Sequence, residues 1–135
     1  MNVDLATAHR IVAAAHAEAA RRSVLVSAAV VDAGGHLVAF GRMDGAEIAG
    51  PVLAVDKAYT AVANSTATSE LGALAQPGGE LFGLNGTGGG RFVIFAGGVP
   101  LVADGAIVGA VGVSGASAAD DEACALAGLA VLTDA

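Results

Sequence analysis

Residues 24–40 have the sequence VLVSAAVVDAGGHLVAF, in which two apolar runs flank a pair of glycines. The first run, Val24 to Asp32, is rich in β-branched residues and is typical of a strand that is buried on both faces. Ala33 to His36 supplies a turn, and Leu37 to Phe40 predicts a second strand that returns beside the first. The segment therefore predicts a β-hairpin at the centre of an antiparallel sheet.

Helical patterns lie on both sides of this hairpin. Apolar residues at three- and four-residue spacing predict a first helix over 4–22, with Asp4 as its N-cap. Pro51 marks the start of a second helix that runs to about Asn64, because proline is favoured at the first helical position. We predict that this helix buries the larger apolar residues of its length, which are Val52, Val55, Tyr59 and Val62.

The second half of the chain contains further short elements. They are a short helix from Thr68, strands over 92–95, 99–102 and 106–113, and a last helix over 118–132. Asp104-Gly105 is a strong hairpin signal between the last two strands. The order α-β-β-α-α-β-β-β-α predicts one α+β domain over residues 1–135, in which helices flank a five-stranded antiparallel sheet.

The composition excludes several classes of protein. Of the 135 residues, 55% are apolar and 14% are charged, which is too apolar and too weakly charged for a disordered chain. The net charge of −7 argues against nucleic acid as a partner, since such binding neutralises phosphates with Lys and Arg. Few long polar side chains are available to cover the surface, so we expect a homo-oligomer that buries part of it.

Three features bear on the location of the protein. Cys124 is the single cysteine and cannot form an internal disulfide, which fits a reducing compartment. The first residues lack the apolar core of a signal peptide. The longest apolar run, Val24 to Val31, is far shorter than the ~18 residues of a membrane span. We therefore expect a cytoplasmic protein with no membrane as a partner.

Lys57 and the glycine-rich segment 77–90 are the first candidates for a functional site. Lys57 is the only lysine, and it could bind a carboxylate or phosphate, act as a base if burial lowers its pKa, or simply lie on the surface.

Seven of the twenty glycines fall within 77–90, which predicts a long loop of the kind that often carries function. Backbone N–H groups of 86–90 could approach an anion beside Arg91, or the segment could be a flexible connection.

Other candidate residues are scattered along the chain. His9 and His16 lie two helical turns apart, about 10 Å, which is too far for one metal ion, and we predict no metal site. A haem needs only one axial ligand, however, so a single histidine could serve one. Four carboxylates flank the short helices and the loop and could form an acid–base pair, namely Asp44, Glu47, Glu70 and Glu80. Phe82 could line a pocket or anchor the loop.

Several motifs in order resemble one known family. They are VVDAGGHLVAF at 30–40, RMDGA at 42–46, DKAYTA at 56–61, PGG at 77–79, LFGL at 81–84, GGVPL at 97–101 and IVGAVGVSG at 107–115. Together they resemble the GlcG/HbpS family, which includes the C-terminal domain of PduO-type proteins. The resemblance implies a profilin-like α+β fold and compact homo-oligomers, and some members of the family bind haem.

Three functional hypotheses follow. In the first, the protein binds a small molecule such as haem or a related tetrapyrrole between the apolar walls of Phe82 and Leu84. Arg42, Lys57 or Arg91 would then pair with the ligand's carboxylates. Haem-binding members of the family share no universal axial residue, and we take His16 on the first helix as the axial ligand. In the second, a catabolic enzyme acts on a small carboxylated substrate by proton-transfer or lyase chemistry. There Lys57 would be the base or anion clamp, with Glu80 or Asp44 as its acidic partner. The third is an adaptor that regulates a neighbouring enzyme.

Overall fold

The computed structural model describes residues 1–133, and the last two residues of the predicted domain, 134 and 135, lie outside the described part. The helices are α1 (Leu5–Arg21), α2 (Gly50–Asn64), α3 (Thr68–Leu74) and α4 (Ala118–Ala130). The strands are β1 (Ser27–Asp32), β2 (Leu37–Arg42), β3 (Gly98–Ala103) and β4 (Ala106–Ser114). Short 3-10 turns occupy Leu84–Gly86 and Gly88–Gly90. Within residues 1–133, every helix is too short or too polar to cross a lipid bilayer.

The four strands form one antiparallel sheet in the order β2-β1-β4-β3. Helices α1 and α4 pack on one face, where the main core contains Ile11, Val30 and Val111. Helix α2 packs on the opposite face, where Ala58 lies in a smaller core with Val31. The sheet is therefore covered by helices on both sides, which is why β1 and β4 are almost wholly buried.

The predicted first helix, hairpin and last helix are confirmed within three residues, the largest difference being the first strand, which begins at Ser27 rather than Val24. Asp4 caps α1 as expected, because its carboxylate accepts a hydrogen bond from the Thr7 N–H at 2.7 Å. Ser117 caps α4 in the same way, through the Asp120 N–H. These elements carry clear local signals, namely helical periodicity, a capping residue and a glycine turn.

The fifth strand, predicted over 92–95, is absent from the described residues, and the sheet has four strands rather than five. The backbone here is held by side chains instead of by a neighbouring strand. Thr60 Oγ1 accepts a hydrogen bond from the Val93 N–H at 3.0 Å, and Thr68 Oγ1 accepts one from the Gly98 N–H at 2.9 Å. Both threonines are buried, and they provide hydrogen bonds to this irregular segment that a neighbouring strand would otherwise supply.

The buried face of α2 also differs from the prediction. Val52 is 67% exposed, and the buried side chains are mostly small ones, namely Ala54, Lys57, Ala58, Thr60 and Ala61. The reason is a close approach of the helix to the sheet, since a Cβ at Gly112 of β4 would collide with the Ala54 carbonyl. Alanine leaves room for this approach, whereas valine would hold the helix away. Val52 consequently faces outward, whereas Val55, Tyr59 and Val62 are half-buried and Val62 still packs against the smaller core.

An irregularity in β2 sets the face on which its large side chains lie. Val30 pairs with Ala39 but Val31 pairs with Leu37, so Val38 is the extra residue of a β-bulge. Simple alternation would place Leu37 and Phe40 on opposite faces of the sheet. The bulge places both on the face that carries α2.

We predict that Gly112→Ala destabilises the protein by at least about 1–3 kcal/mol, the usual cost of overpacking, because the added methyl meets backbone rather than a flexible side chain. Urea unfolding monitored by circular dichroism measures this. Gly86→Ala is the matched control, since a Cβ there meets nothing within 4 Å and its expected effect is below about 0.5 kcal/mol. Equal stability of the two variants would contradict the close approach of α2 to the sheet.

Candidate functional site

An open cleft of about 420 Å³ lies between the edge strand β2 and the first half of α2. We call it the α2–β2 cleft, and its lining residues are Leu37, Phe40, Pro51, Val52, Val55 and Asp56. Five of these six are apolar, and Leu37 and Val52 are each more than half exposed. Its volume falls in the ~300–1,000 Å³ range of small-molecule sites, and its walls have the apolar character of such sites.

Local features of both elements build this cleft. The β2 bulge turns Leu37 and Phe40 toward α2. Pro51 occupies the first turn of α2, where its missing N–H costs no hydrogen bond. Val52 and Val55 are three residues apart and so lie on one side of the helix. The cleft is therefore formed by the large residues that the close packing of α2 leaves outside the core.

Arg91 and Asp56 form an ion pair at the cleft. The Arg91 Nε donates to Asp56 Oδ1 at 3.0 Å, and Asp56 is itself a lining residue. The guanidinium carbon of Arg91 lies 3.8 Å from the centroid of the Tyr59 ring, which also packs against Phe92. Within residues 1–133, neither terminal nitrogen of Arg91 has a hydrogen-bond partner. The cation is thus held beside the cleft with both terminal nitrogens free.

Lys57 lies on another side of α2 and is 1% exposed. Its Nζ donates to the Val113 carbonyl at 2.9 Å and to Asp121 Oδ2 at 3.0 Å, while the Phe95 ring lies 5.2 Å away. Asp121 is also buried, and its other oxygen accepts the Ala116 N–H at 2.9 Å. Burial lowers the pKa of Lys57 and raises the pKa of Asp121, and the opposite charge of each partner counteracts both shifts. This is a buried ion pair with its hydrogen bonds satisfied.

These contacts correct what the sequence led us to expect of Lys57. Its acidic partner is Asp121, whereas the expected partners Glu80 and Asp44 are both exposed. None of the described contacts of its ammonium group involves the glycine-rich segment 77–90, so the structure does not bring the two together in one hollow. The first turn of α4 contains Asp120 and Asp121, but no local pattern in the sequence indicates that Asp121 pairs with Lys57.

The other predicted ligand-binding residues do not line the α2–β2 cleft. His16 lies on α1, on the other face of the sheet, and its Nε2 is 2.9 Å from the Gly41 carbonyl oxygen. Arg42 donates to the Ala46 carbonyl. Phe82 is 66% exposed in the loop after α3. Among the predicted cofactor-binding residues, Arg91 is the one that contacts a lining residue of the cleft.

A second hollow, of about 430 Å³, lies where the loops before α2 and α4 meet. Its lining includes the carboxylates of Glu47 and Asp120. Asp120 already pairs with Arg22 at 3.0 Å and with the Ser117 hydroxyl. Because Asp120 is already engaged by Arg22 and Ser117, we regard the α2–β2 cleft as the better candidate for a ligand site.

The fold and the cleft define an α+β protein with an antiparallel sheet, helices on both faces and an open apolar cleft at a sheet edge. Comparison with known families is more specific. The family model described as "Haem degrading protein HbpS-like" matches residues 3–130, and the chain belongs to this family. The predicted membership of the GlcG/HbpS family is thereby confirmed.

Individual relatives agree with this assignment. An uncharacterised 15.0 kDa protein of the dhaT–dhaS intergenic region of Citrobacter freundii is 40% identical over 119 residues, which cover 88% of this chain and 84% of the relative. The crystal structure of the Klebsiella pneumoniae protein ORFY superposes with a TM-score of 0.95 at 34% identity, covering 98% of this chain and 92% of that one. A PduOC:heme complex superposes with a TM-score of 0.92 at 37% identity, covering 97% and 95%.

We predict that Lys57→Met lowers the free energy of unfolding by about 3–5 kcal/mol, because it leaves the Asp121 carboxylate buried without its counter-charge. Lys57→Met/Asp121→Asn should lose less than Lys57→Met alone, since Asn keeps an acceptor for the Ala116 N–H without a buried charge. Urea unfolding of the single and double variants measures the coupling.

The control for this pair is Arg21→Met, which removes one ion-pair partner of Glu18 at a side chain that is 73% exposed. Its expected cost is below about 1 kcal/mol, as is usual for surface pairs. If Lys57→Met lowers the free energy of unfolding no more than Arg21→Met does, the account of Lys57 and Asp121 as a stabilising buried pair is wrong.

Proposed function

We propose that this protein binds haem or a related tetrapyrrole in the α2–β2 cleft. The observation that carries the proposal is an open apolar cleft with a cation, Arg91, held at Asp56 on its lining. A tetrapyrrole has a flat apolar body with carboxylates on one edge. The body would contact Leu37, Phe40 and Val52, and a carboxylate would pair with Arg91.

Two findings on related proteins support this choice of ligand. The family to which the chain belongs is described as haem degrading, and a PduOC:heme complex shares the fold across almost the whole chain. The residues of the cleft fit such a ligand, because apolar side chains can cover a macrocycle and a guanidinium can bind its carboxylate in two-point fashion.

We also propose that the protein acts as a cytoplasmic homo-oligomer. Ile48 is 93% exposed, and Leu37, Phe40 and Val52 are exposed around the cleft. Apolar side chains clustered in this way are typical of surfaces that bind a ligand or another subunit. A second copy placed against this region would cover them and would narrow the open side of the cleft.

The alternative is an enzyme that uses Lys57 on a small carboxylated substrate. A lowered pKa suits a lysine that acts as a base. The ammonium is 1% exposed, however, and both of its hydrogen-bond partners are protein oxygens. A substrate could reach it only if groups packed around it moved, so the geometry favours the binding function. The contacts of the described residues offer no specific argument for the adaptor hypothesis.

We predict that Val52→Glu weakens haem binding at least about tenfold, because it places a carboxylate in the apolar cleft and repels the carboxylates of the ligand. Titration of the protein with haem, followed in the Soret region, measures the affinity. Val102→Glu is the matched control, since Val102 is also exposed but lies on β3 at the opposite edge of the sheet.

The same titration tests the predicted axial ligand. If haem lies beside His16 instead, His16→Ala will change the Soret spectrum while Val52→Glu leaves the affinity unchanged. That result would overturn the α2–β2 cleft as the site. Absence of haem binding by the unaltered protein would overturn the proposed function itself.

A further inference from the structure

We propose that Asp56 and Tyr59 are positioning residues that hold Arg91 as a preformed carboxylate clamp, so that the α2–β2 cleft selects flat apolar ligands that carry a carboxylate. The inference rests on the proposed function, because it assigns the selectivity of the same cleft. Sequence reasoning treated Tyr59 as a core residue and gave no role to Asp56.

The first argument is how Asp56 binds Arg91. The contact uses the Nε of the guanidinium, at 3.0 Å from Asp56 Oδ1. Arginine has five N–H donors in a planar fork, so this contact leaves the outer edge with its two terminal nitrogens available. Two parallel N–H donors match the two oxygens of a carboxylate. Asp56 therefore orients the cation without occupying the edge that a ligand would use.

The second argument is the stacking of Arg91 on Tyr59. The guanidinium carbon lies 3.8 Å from the centroid of the Tyr59 ring, and Phe92 packs against that ring at a centroid distance of 6.3 Å. The ring restricts the guanidinium from one side, and the ion pair restrains it through its Nε. Asp56 and Tyr59 are three residues apart on α2, so one side of one helix supplies both contacts.

The third argument is that the backbone of Arg91 is anchored too. Thr60 Oγ1 lies 2.7 Å from the Asp56 carbonyl oxygen and 3.3 Å from the Arg91 carbonyl oxygen, and it accepts the Val93 N–H. Thr60 is fully buried. An exposed arginine normally loses side-chain entropy when it binds a ligand. Here the protein has already restricted the side chain, which favours ligands that can use the free edge.

The test compares protoporphyrin IX with its dimethyl ester, a ligand of nearly the same shape without carboxylates, by fluorescence titration in one buffer. We expect the unaltered protein to bind the diacid at least about tenfold more tightly than the ester, because the ester cannot form the charge-assisted contact with Arg91. Arg91→Gln should reduce this selectivity to about twofold or less. The ratio of the two affinities is the readout, because a merely structural defect would weaken both ligands alike.

Paired substitutions separate positioning from packing. Asp56→Ala and Tyr59→Leu should both lower the selectivity ratio severalfold, because each removes one contact that orients Arg91. Asp56→Asn keeps an acceptor for the Arg91 Nε, and Tyr59→Phe keeps the aromatic ring, so both should retain the ratio within about threefold. If the conservative variants lower the ratio of the two affinities as much as Asp56→Ala and Tyr59→Leu do, Asp56 and Tyr59 are not positioning residues.

The two proposals fail in different ways. If the unaltered protein binds the diacid and the ester with equal affinity, the clamp is wrong but the apolar cleft remains the site. If it binds haem but neither porphyrin, the clamp is wrong. If it binds none of the three ligands, the proposed function is wrong as well.

Discussion

The buried ion pair between Lys57 and Asp121 is the constraint on which the arrangement of the site depends. Lys57 belongs to α2 on one face of the sheet, and Asp121 belongs to the first turn of α4 on the other face. The pair therefore connects the two helix layers beside the start of β3. Gly97 leaves room for the Lys57 side chain, since a Cβ at residue 97 would lie 2.7 Å from the lysine Nζ. A buried charge that loses its partner is costly, so the pair strongly disfavours any rotation of α2 that would move Lys57 away from Asp121.

Fixing the rotation of α2 decides which of its residues are available to a ligand. With Lys57 and the alanines turned inward, Val52, Val55 and Asp56 are turned toward β2 and the solvent. The bulge in β2 brings Leu37 and Phe40 to the same side. An apolar cleft with an anchored arginine therefore results from two structural causes, a helix held by a buried charge pair and a strand with one extra residue.

Much of the fold could be predicted because its signals are local. The helical periodicity of α1 and the alternation and turn of the hairpin lie within single segments of the chain. The face of α2 could not be predicted in this way, because hydrophobicity alone ranks Val52 above Ala54, whereas the close approach to Gly112 requires the smaller side chain. The segment 92–95 has a strand-like composition, but Thr60 and Thr68 bind its backbone and the following Gly98 N–H from distant parts of the sequence.

The candidate site was predictable only in part for the same reason. Arg91 stood out as a cation beside glycines, but its partners Asp56 and Tyr59 are more than thirty residues away in the sequence. Lys57 stood out as the only lysine, yet its partner lies 64 residues further along the chain. The most direct test of the buried pair is amine labelling of the native protein with acetic anhydride, followed by peptide mass spectrometry. The account predicts that the α-amino group reacts while Lys57 stays unmodified until urea unfolds the chain, and rapid native acetylation of Lys57 would contradict it.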